Sequence, residues 1–534
     1  MHGAEQWMMA RKTQRILARK IHRVGARSKA CLISILLIAF ACSRTLADEP
    51  FVTPANMTRI GEVDERFQSY NIEMVEVTGG KFWKPYGSNA AYAGSDLFAY
   101  RAPIDLSNVR LRKLAAALAP AYMRVSGTWA NATFFADSDA APSAPPAGFE
   151  GVLTRQQWRG VVNFSQAVGA PIVTSFPVSL GTRDAGGVWT PDHSARLLAY
   201  TAAVGGRIAA AEFMNEPNVA AAGVTAASDD TAGYGRDFKI FRSFMKRQAP
   251  ETMILGPGLA GATDAALRLL VASGPGVDAF SYHHYGALSE RCSGVRASDG
   301  ALAATALSEQ WLARTEQTLN FYRKLRDQFE PGKPIWLTET AEAACGGNRW
   351  AATFLDTFRY LDQLGRLAKA GVQVVMHNTL AASDYGLLNE KDLAPRPNYW
   401  GALLWRRLMG TTVLDAGVPF QTGLHVYAHC QRGKPGGVGV LVINTDRDAA
   451  RALRLAAAAE RYTLDAADLG DGAARLNGRA LELSAKDELP DITGVPTPVG
   501  TLTFAPATIT FLTVPAAANS ACRQHRELRS PNRG

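Results

Sequence analysis

The chain carries the run Ala-Glu-Phe-Met-Asn-Glu-Pro-Asn at residues 211–218 and the run Ile-Trp-Leu-Thr-Glu-Thr at residues 335–340. Each is an apolar stretch typical of a β-strand, and each ends at a carboxylate, Glu216 in the first and Glu339 in the second. In the first run Pro217 fixes the turn that leaves the strand, and Asn215 places an amide beside the acid. A lone glutamate at a strand end is more often a helix cap or half of a salt bridge. A functional interpretation therefore requires both runs to belong to one regular series of strands.

Such a series exists, because strand-like and helix-like runs alternate between about residues 70 and 410. The predicted strands are Tyr70–Val77, Ala121–Ser126, Pro171–Val178, Arg207–Asn215, Met253–Gly256, Asp278–Tyr285, Pro334–Thr340 and Val372–Asn378. The predicted helices between them include Val109–Leu118, Arg155–Ala167, Ala195–Val204, Gly235–Gln248, Ser308–Phe329 and Ala351–Ala370. Eight strands alternating with helices predict an α/β protein built on a (β/α)8 TIM barrel, whose catalytic groups lie at the carboxyl ends of the strands.

The remainder of the chain predicts a second domain. After Gly410 the pattern changes to short strands and turns, which favours an appended antiparallel β-sandwich over residues 411–522. The barrel is expected over residues 67–410, residues 48–66 are expected to add a strand to the sandwich, and residues 523–534 are expected to form a disordered tail.

The N-terminal region resembles an export signal. A basic stretch is followed by the apolar run 30–42, which is short for a transmembrane helix, and by the small residues Thr45 and Ala47. We therefore expect a signal peptide over residues 1–47, cleaved after Ala47, and a periplasmic or secreted protein. An uncleaved, membrane-tethered form is the alternative.

Cleavage of this export segment would lower the net charge of the chain. The whole chain carries a formal net charge of +9, and residues 1–47 hold nine Lys or Arg and one acid, which leaves about +1 for the mature chain. The basic character belongs to the export segment, so it gives no argument for a nucleic-acid partner. We also expect no membrane partner for the mature chain, no metal and no cofactor, and a monomer.

Four of the six cysteines follow the export segment, and an even number in an exported protein allows two disulfides. Cys292 and Cys345 both follow strand ends of the barrel, whereas Cys430 and Cys522 both lie in the β-sandwich region. We therefore expect the pairs Cys292–Cys345 and Cys430–Cys522. Four buried free thiols are the alternative.

Eight sequence blocks follow one another along the chain. They are Ser-Tyr-Asn-Ile-Glu-Met-Val-Glu-Val-Thr-Gly-Gly (69–80), Arg-Val-Ser-Gly-Thr-Trp-Ala-Asn (124–131), Glu-Phe-Met-Asn-Glu-Pro-Asn (212–218), Tyr-His-His-Tyr (282–285), Trp-Leu-Thr-Glu-Thr (336–340), Val-Val-Met-His-Asn (374–378), Ser-Asp-Tyr-Gly-Leu-Leu (383–388) and Pro-Asn-Tyr-Trp (397–400). In their order and spacing, these blocks resemble the heparanase-like glycoside hydrolases of family 79, in their bacterial branch. The similarity extends from about Phe67 to Cys522.

The resemblance implies a retaining β-glucuronidase in which Glu216 is the general acid/base and Glu339 the nucleophile. The substrate-binding residues that it implies are Glu73, Thr128, Asn215, Tyr285, Gly346, Gly347, Ser383, Asp384 and Tyr385. Tyr285 is expected to donate a hydrogen bond to Glu339. The backbone of Gly346 and Gly347, together with Tyr385, is expected to hold the sugar carboxylate. His283 and His284 point to opposite sides of a strand, so they make a poor metal pair.

The expected partner is therefore an acidic polysaccharide, such as heparan sulfate or a related glycan, or a smaller glucuronide. Arg291, Arg349 and Lys391 lie on loops at the catalytic face and are candidate sulfate contacts. One alternative is an exo-acting β-glucuronidase on small or non-sulfated glucuronides. Another is a catalytically silent glycan-binding protein on the same fold. The sequence leaves endo or exo action, sulfation preference and the physiological glycan open.

Overall fold

The structure is a computed structural model that describes residues 49–86, 97–140, 142, 144–219, 224, 227–293 and 303–523. The predicted signal peptide and nearly all of the predicted tail lie outside these residues. Eight parallel strands form a closed barrel in the order of the chain. They are β1 (Gln68–Glu73), β2 (Met123–Ser126), β3 (Ile172–Ser175), β4 (Ile208–Glu212), β5 (Met253–Ala260), β6 (Ala279–Leu288), β7 (Ile335–Ala344) and β8 (Val374–His377). Pairing of β8 with β1 closes the barrel.

Helices cover the outside of this barrel and follow the strands in turn. They are Met74–Thr78, Val109–Ala117, Arg155–Val168, Asp192–Ala203, Thr231–Gln248, Ala265–Ser273, Glu290–Ser293, Glu309–Leu312, Arg314–Phe329, Phe354–Lys369 and Pro397–Leu408. The strands are buried on both faces, and every residue of β1, β2 and β3 is buried. Burial on both faces is typical of parallel strands that are covered by helices, and the polar side chains of these strands therefore need partners inside the protein. The predicted barrel is thus confirmed.

Local sequence signals set several helix ends. The helix Arg155–Val168 begins with a capping box, in which the Thr154 hydroxyl accepts from the Gln157 amide at 3.1 Å and the Gln157 side chain accepts from the Thr154 amide at 2.9 Å. It ends at Gly169, whose φ of 66° is the left-handed conformation that glycine adopts without strain.

Five predicted strands are shorter in the structure, and the early ends of two of them, β1 and β4, bear on predicted site residues. β1 ends at Glu73 rather than Val77, because the Glu73 amide donates to the Glu76 side chain at 2.9 Å and the helix Met74–Thr78 begins there. β4 ends at Glu212 rather than Asn215. The loop after β4, and not the strand itself, therefore carries Glu216.

The C-terminal part forms two packed sheets. The larger sheet contains Arg59–Glu62, Met409–Leu414, Leu424–Gln431, Val438–Asn444, Thr508–Val514, Ala459–Asp465, Arg475–Leu476 and Arg479–Ala480, with Val495–Thr497 beside Ala459–Asp465. The smaller sheet contains Phe51–Val52, Arg451–Leu455 and Gly500–Phe504. Buried aliphatic side chains from both sheets, such as Val440 and Leu453, share one core. Two strands of the N-terminal segment thus join the sandwich, and Phe51–Val52 pairs in parallel with Arg451–Leu455.

Both disulfides are present with the expected pairing. Cys292–Cys345 links the segments that follow β6 and β7, and Cys430–Cys522 links the strand Leu424–Gln431 to the last described turn. Among the described residues, the helices are all too short or too polar to cross a bilayer.

Barrel and sandwich meet at a buried polar cluster. His425 Nδ1 and the Tyr427 hydroxyl, both on the strand Leu424–Gln431, each lie 2.6 Å from Asp362 Oδ1 on the barrel helix Phe354–Lys369. Arg366 Nε lies 2.6 Å from the other Asp362 oxygen. Burial alone lowers the pKa of His425, but the Asp362 carboxylate outweighs it and the pKa of His425 rises to about 9.

Candidate active site

Glu216 lies in the tight loop after β4 and has a backbone φ of 44°. A residue other than glycine in this conformation is strained, and such strain concentrates at functional sites. The loop is held on both sides. The Glu216 amide donates to the Gly258 carbonyl at 3.2 Å, while the Asn131 side chain pairs with the backbone N–H and C=O of Asn215, each at 2.8 Å. The surrounding structure therefore fixes the direction of the Glu216 side chain.

Glu339 lies within β7 and is buried. Its Oε1 accepts from the Tyr285 hydroxyl at 2.6 Å, and its Oε2 accepts from Arg124 Nη1 at 2.8 Å. Charge-assisted hydrogen bonds to both oxygens stabilise the ionised carboxylate and fix its orientation. The expected Tyr285 contact is present.

The imidazole of His283 joins the two carboxylates. Its Nδ1 lies 2.9 Å from Glu216 Oε1 and 3.8 Å from Glu339 Oε2, and oxygens of the two carboxylates lie within 4.8 Å of one another. Retaining glycosidases hold their two carboxyls about 5–5.5 Å apart, whereas inverting enzymes need about 6.5–9.5 Å for a water molecule. Oxygens this close favour the retaining arrangement over the inverting one.

The surroundings shift the pKa values of the two carboxyl groups in opposite directions. Burial, together with the nearby Glu339 charge, raises the pKa of Glu216 even though His283 acts against this. Burial would also raise the pKa of Glu339, but His283, Arg124 and the Tyr285 hydrogen bond outweigh it, so the pKa of Glu339 lies below its ordinary value. One group therefore favours the protonated form and the other the ionised form, which is the division that acid and nucleophile roles require.

Arg124, from β2, organises the floor of the site. Its guanidinium contacts Glu339 as above, Glu212 Oε2 at 2.8 Å and Asn215 Oδ1 at 2.7 Å. The side chains of Arg124 and Glu212 are each 1% exposed, so the ion pair is fully removed from water. Ser281 and Thr338 hydroxyls donate to the other Glu212 oxygen, each at 2.9 Å. A buried charge without such partners would be costly. Glu212 therefore neutralises the buried Arg124 guanidinium, and Arg124 in turn stabilises the ionised Glu339 carboxylate.

Asn378, at the end of β8, connects three other groups at the opposite wall. Its Nδ2 lies 2.9 Å from Glu73 Oε1, 3.0 Å from the Tyr285 hydroxyl and 3.2 Å from the Tyr385 hydroxyl. Burial and the Glu339 charge raise the pKa of Glu73 well above its ordinary value. A Cβ on Gly127 would lie 1.5 Å from Glu73 Oε2, so only glycine fits between β2 and this acid. Glu73, Tyr285 and Tyr385 are thus brought together as expected.

The loops after β7 and β8 are joined through Arg291. Its guanidinium donates to the Lys84 carbonyl at 2.7 Å and the Gly347 carbonyl at 2.7 Å, and it also pairs with the Asp384 carboxylate. Its residue exposure is 2%. The hypothesis that Arg291 contacts sulfate is therefore wrong, because its donors are used inside the protein. Asp384 accordingly holds Arg291.

The other predicted site residues lie around this rim. Gly346 and Gly347 are buried with φ of 80° and 79°, and Ser383 is also buried, with a φ of 62°. Thr128 is partly exposed directly after Gly127. The two remaining sulfate candidates, Arg349 and Lys391, are both exposed. The Arg349 guanidinium lies 3.6 Å from the Glu290 carboxylate and over the Tyr86 ring.

The sequence assigned no role to Arg124, Glu212, His283 or Asn378. His283 carried a usable signal, because alternation along a strand places it on the same face as Tyr285. His284 points the other way, to the Thr318 hydroxyl at 2.9 Å. Arg124 lies within a predicted strand and Asn378 at the end of another, but a position along a strand does not show which partner a side chain meets.

Glu216, His283 and Glu339 form the one group in the described part of the chain with metal-ligand geometry. Arg124 lies against Glu339 and contributes a positive charge at the same place. That charge would oppose a bound cation, so the donor set fits a proton-transferring pair better than a metal site.

A (β/α)8 barrel with a β-sandwich and a carboxylate pair at the catalytic face of the barrel is the arrangement that retaining glycoside hydrolases use. More narrowly, the chain belongs to glycosyl hydrolase family 79. The model of that family's N-terminal domain matches residues 95–365.

The curated relatives include heparanases. The chain is 28% identical to heparanase-like protein 1 of Arabidopsis thaliana over 362 residues, which cover 64% of this chain and just under two thirds, 65%, of that protein. It is 27% identical to heparanase of Mus musculus over 484 residues, covering 78% of this chain and 88% of that protein. Among solved structures, a 4-O-α-L-rhamnosyl-β-D-glucuronidase from Fusarium oxysporum aligns with a TM-score of 0.61 over 87% of this chain and 99% of that chain. At 15% identity, this last likeness concerns the fold.

Proposed function

We propose that the protein is a retaining β-glucuronidase of heparanase type, which hydrolyses glucuronic acid linkages in heparan sulfate-like or related glycans. The observation that carries the proposal is the pair Glu216 and Glu339, with oxygens within 4.8 Å of each other and pKa values moved in opposite directions. This combination supports a double displacement.

In the first step, a Glu339 oxygen attacks the anomeric carbon and the bond to the leaving oxygen breaks. Glu216 gives its proton to that oxygen, so the leaving group departs as an alcohol and a glycosyl ester remains on Glu339. In the second step, Glu216 takes a proton from water as that water attacks the anomeric carbon. The ester breaks, Glu339 is free again, and the configuration at the anomeric carbon is retained.

Buried donors near Glu339 support recognition of a uronic acid. The Tyr385 hydroxyl reaches Asn378, which also contacts Glu73 and the Tyr285 hydroxyl. Gly346 and Gly347 place backbone of positive φ directly after β7, and backbone N–H groups can bind a carboxylate without a charged partner. We infer that these groups hold the glucuronate ring and its carboxylate.

The proposal is tested by hydrolysis of an aryl β-glucuronide and of a heparan sulfate chain by residues 48–534. Glu339→Gln should lose at least 10³-fold in kcat while still binding glycan. Glu216→Gln should lose about 10²- to 10⁴-fold on a glycan and less on an activated aryl glucuronide, which needs little proton donation. Activity of Glu339→Gln within tenfold of the unsubstituted protein would eliminate the nucleophile assignment. Equal losses of Glu216→Gln on both substrates would eliminate the acid assignment.

The sugar specificity has its own test. Tyr385→Phe removes one hydroxyl from the buried network without changing the ring, so we expect a higher KM for aryl β-glucuronide at nearly unchanged melting temperature. The matching aryl β-glucoside, which lacks the carboxylate, serves as control substrate. An unchanged KM for the glucuronide would remove Tyr385 from the sugar site.

Fragmentation of the polymer would indicate endo action, and hydrolysis of the aryl substrate alone would indicate exo action. Retained glycan binding without any hydrolysis would favour the silent binding protein.

A further inference from the structure

A cleft of about 390 Å³ lies beside the predicted glucuronate site and outside the catalytic pair. One wall is the strand pair Gly80–Trp83 and Phe98–Arg101 with the segment that follows it. The other wall is the loop around residues 390–393. Ligand pockets in proteins range over roughly 300–1,000 Å³, so this cleft can take a small polar ligand.

Its lining combines apolar surface with hydrogen-bonding groups. Tyr100 is 75% exposed at the mouth, and Trp83, Pro103 and Leu393 supply further apolar surface. Asp105, Asn108 and Lys391 contribute polar groups. An aromatic side chain with a polar tip suits a ligand that presents a C–H face and hydroxyl edges, as a sugar ring does.

The charges in the cleft balance. Lys391 and Arg101 are countered by Asp105 and Glu390, and Arg101 Nη1 lies 2.8 Å from Glu390 Oε2. Arg101 also lies 3.6 Å from the buried Glu76. A cleft of this composition does not concentrate positive charge, so it favours an uncharged ring over a sulfated or uronic acid ring.

The floor of the cleft is shared with the loop that carries Tyr385. Arg101 Nη2 donates to the Ala381 carbonyl at 3.0 Å, and Glu390 Oε2 accepts from the Ser383 amide at 3.2 Å. The cleft is therefore fixed directly to the loop that carries Tyr385, which lies at the catalytic face of the barrel.

We propose that this cleft is a second sugar-binding site, which takes an uncharged sugar residue of the same glycan whose glucuronide linkage the enzyme cleaves. The proposal rests on the proposed function for its choice of glycan. It adds that affinity for an oligosaccharide depends on Tyr100, while hydrolysis of a single aryl glucuronide does not.

The first experiment compares two substrates in the Tyr100→Ala variant. They are an aryl β-glucuronide and an unsulfated hexasaccharide in which glucuronate alternates with N-acetylhexosamine. Loss of one stacking ring should raise KM for the hexasaccharide about three- to tenfold and leave the aryl substrate unchanged. The matched control is Phe51→Ala, which removes an aromatic ring that is 55% exposed in the sandwich. Unchanged KM for the hexasaccharide, or an equal change for both substrates, would overturn the proposal.

The second experiment reads binding without turnover. The same hexasaccharide is titrated into Glu339→Gln with and without Tyr100→Ala, and the double variant should bind about three- to tenfold more weakly. Equal affinities would overturn the second sugar-binding site, whether or not the aryl glucuronide is a substrate. Failure of the proposed function would instead show as a lack of hydrolysis in the first experiment. A sulfated hexasaccharide that binds more tightly, and loses that advantage in Lys391→Ala, would overturn the assignment to an uncharged sugar.

Discussion

His283 is expected to set the pH range of activity, and His283→Ala is the perturbation that tests this. The imidazole contacts Glu216 directly and lies 3.8 Å from Glu339. The two glutamates hold the pKa of His283 above its ordinary value despite its burial. Its removal takes away a donor to Glu216 and a positive charge near Glu339, so both carboxylates should become harder to ionise.

The size of the effect follows from these contacts. A hydrogen bond to a charged group contributes about 1.5–3 kcal/mol, and one pKa unit corresponds to about 1.4 kcal/mol. The loss of this bond in His283→Ala should therefore raise the pKa of Glu216 further. Two charges 3.8 Å apart interact by about 4 kcal/mol at an effective dielectric constant near 20. Since the imidazole is charged over only part of the pH range, only part of this energy acts on Glu339, and its pKa should also rise in His283→Ala.

The assay is kcat/KM against pH on an aryl β-glucuronide. The acid limb of the bell reports ionisation of Glu339, and the alkaline limb reports loss of the Glu216 proton. Both limbs should move to higher pH in His283→Ala. His284→Asn is the matched control, because burial lowers the pKa of His284 to about 3 and its ring faces Thr318 instead. Limbs that stay in place in His283→Ala, with a folded protein, would refute this account of the site.

Two further predictions concern stability. The pKa of His425 is raised to about 9, so the Asp362 contact stabilises the fold fully below about pH 6.5 and loses this contribution as pH rises through 9. Urea unfolding should show a loss of up to about 3 kcal/mol over that range, and His425→Asn should flatten it; an equally steep loss in the variant would contradict the assignment. The Cys430–Cys522 bridge spans 92 residues, so replacing both cysteines with alanine should cost about 4–5 kcal/mol by the chain-entropy estimate. A loss below about 1 kcal/mol would show that the unfolded chain is already restricted there.

The barrel was predictable because its signals are local. Apolar runs, caps and turns recur with the period of strand and helix, and the predicted helix starting at Arg155 begins there in the structure. The exact strand ends were harder to predict from the sequence. Glu73 ends β1 because Glu76 caps the next helix, and the apolar character of Phe213 and Met214 extends the strand pattern past the true end of β4.

The sequence alone determined the two glutamates, the order of the strands that deliver them, the cysteine pairs and the family. Only the tertiary structure decided what each charge does, because electrostatic effects depend on burial and on partners that are distant along the chain. Arg124 contacts a carboxylate 215 residues away, and His283 meets one 67 residues away. For the same reason Arg291, which the sequence presents as a cation on an active-site loop, is a buried internal clamp. The backbone carbonyls and the carboxylate around Arg291 occupy its donors, so its guanidinium is not available to a substrate.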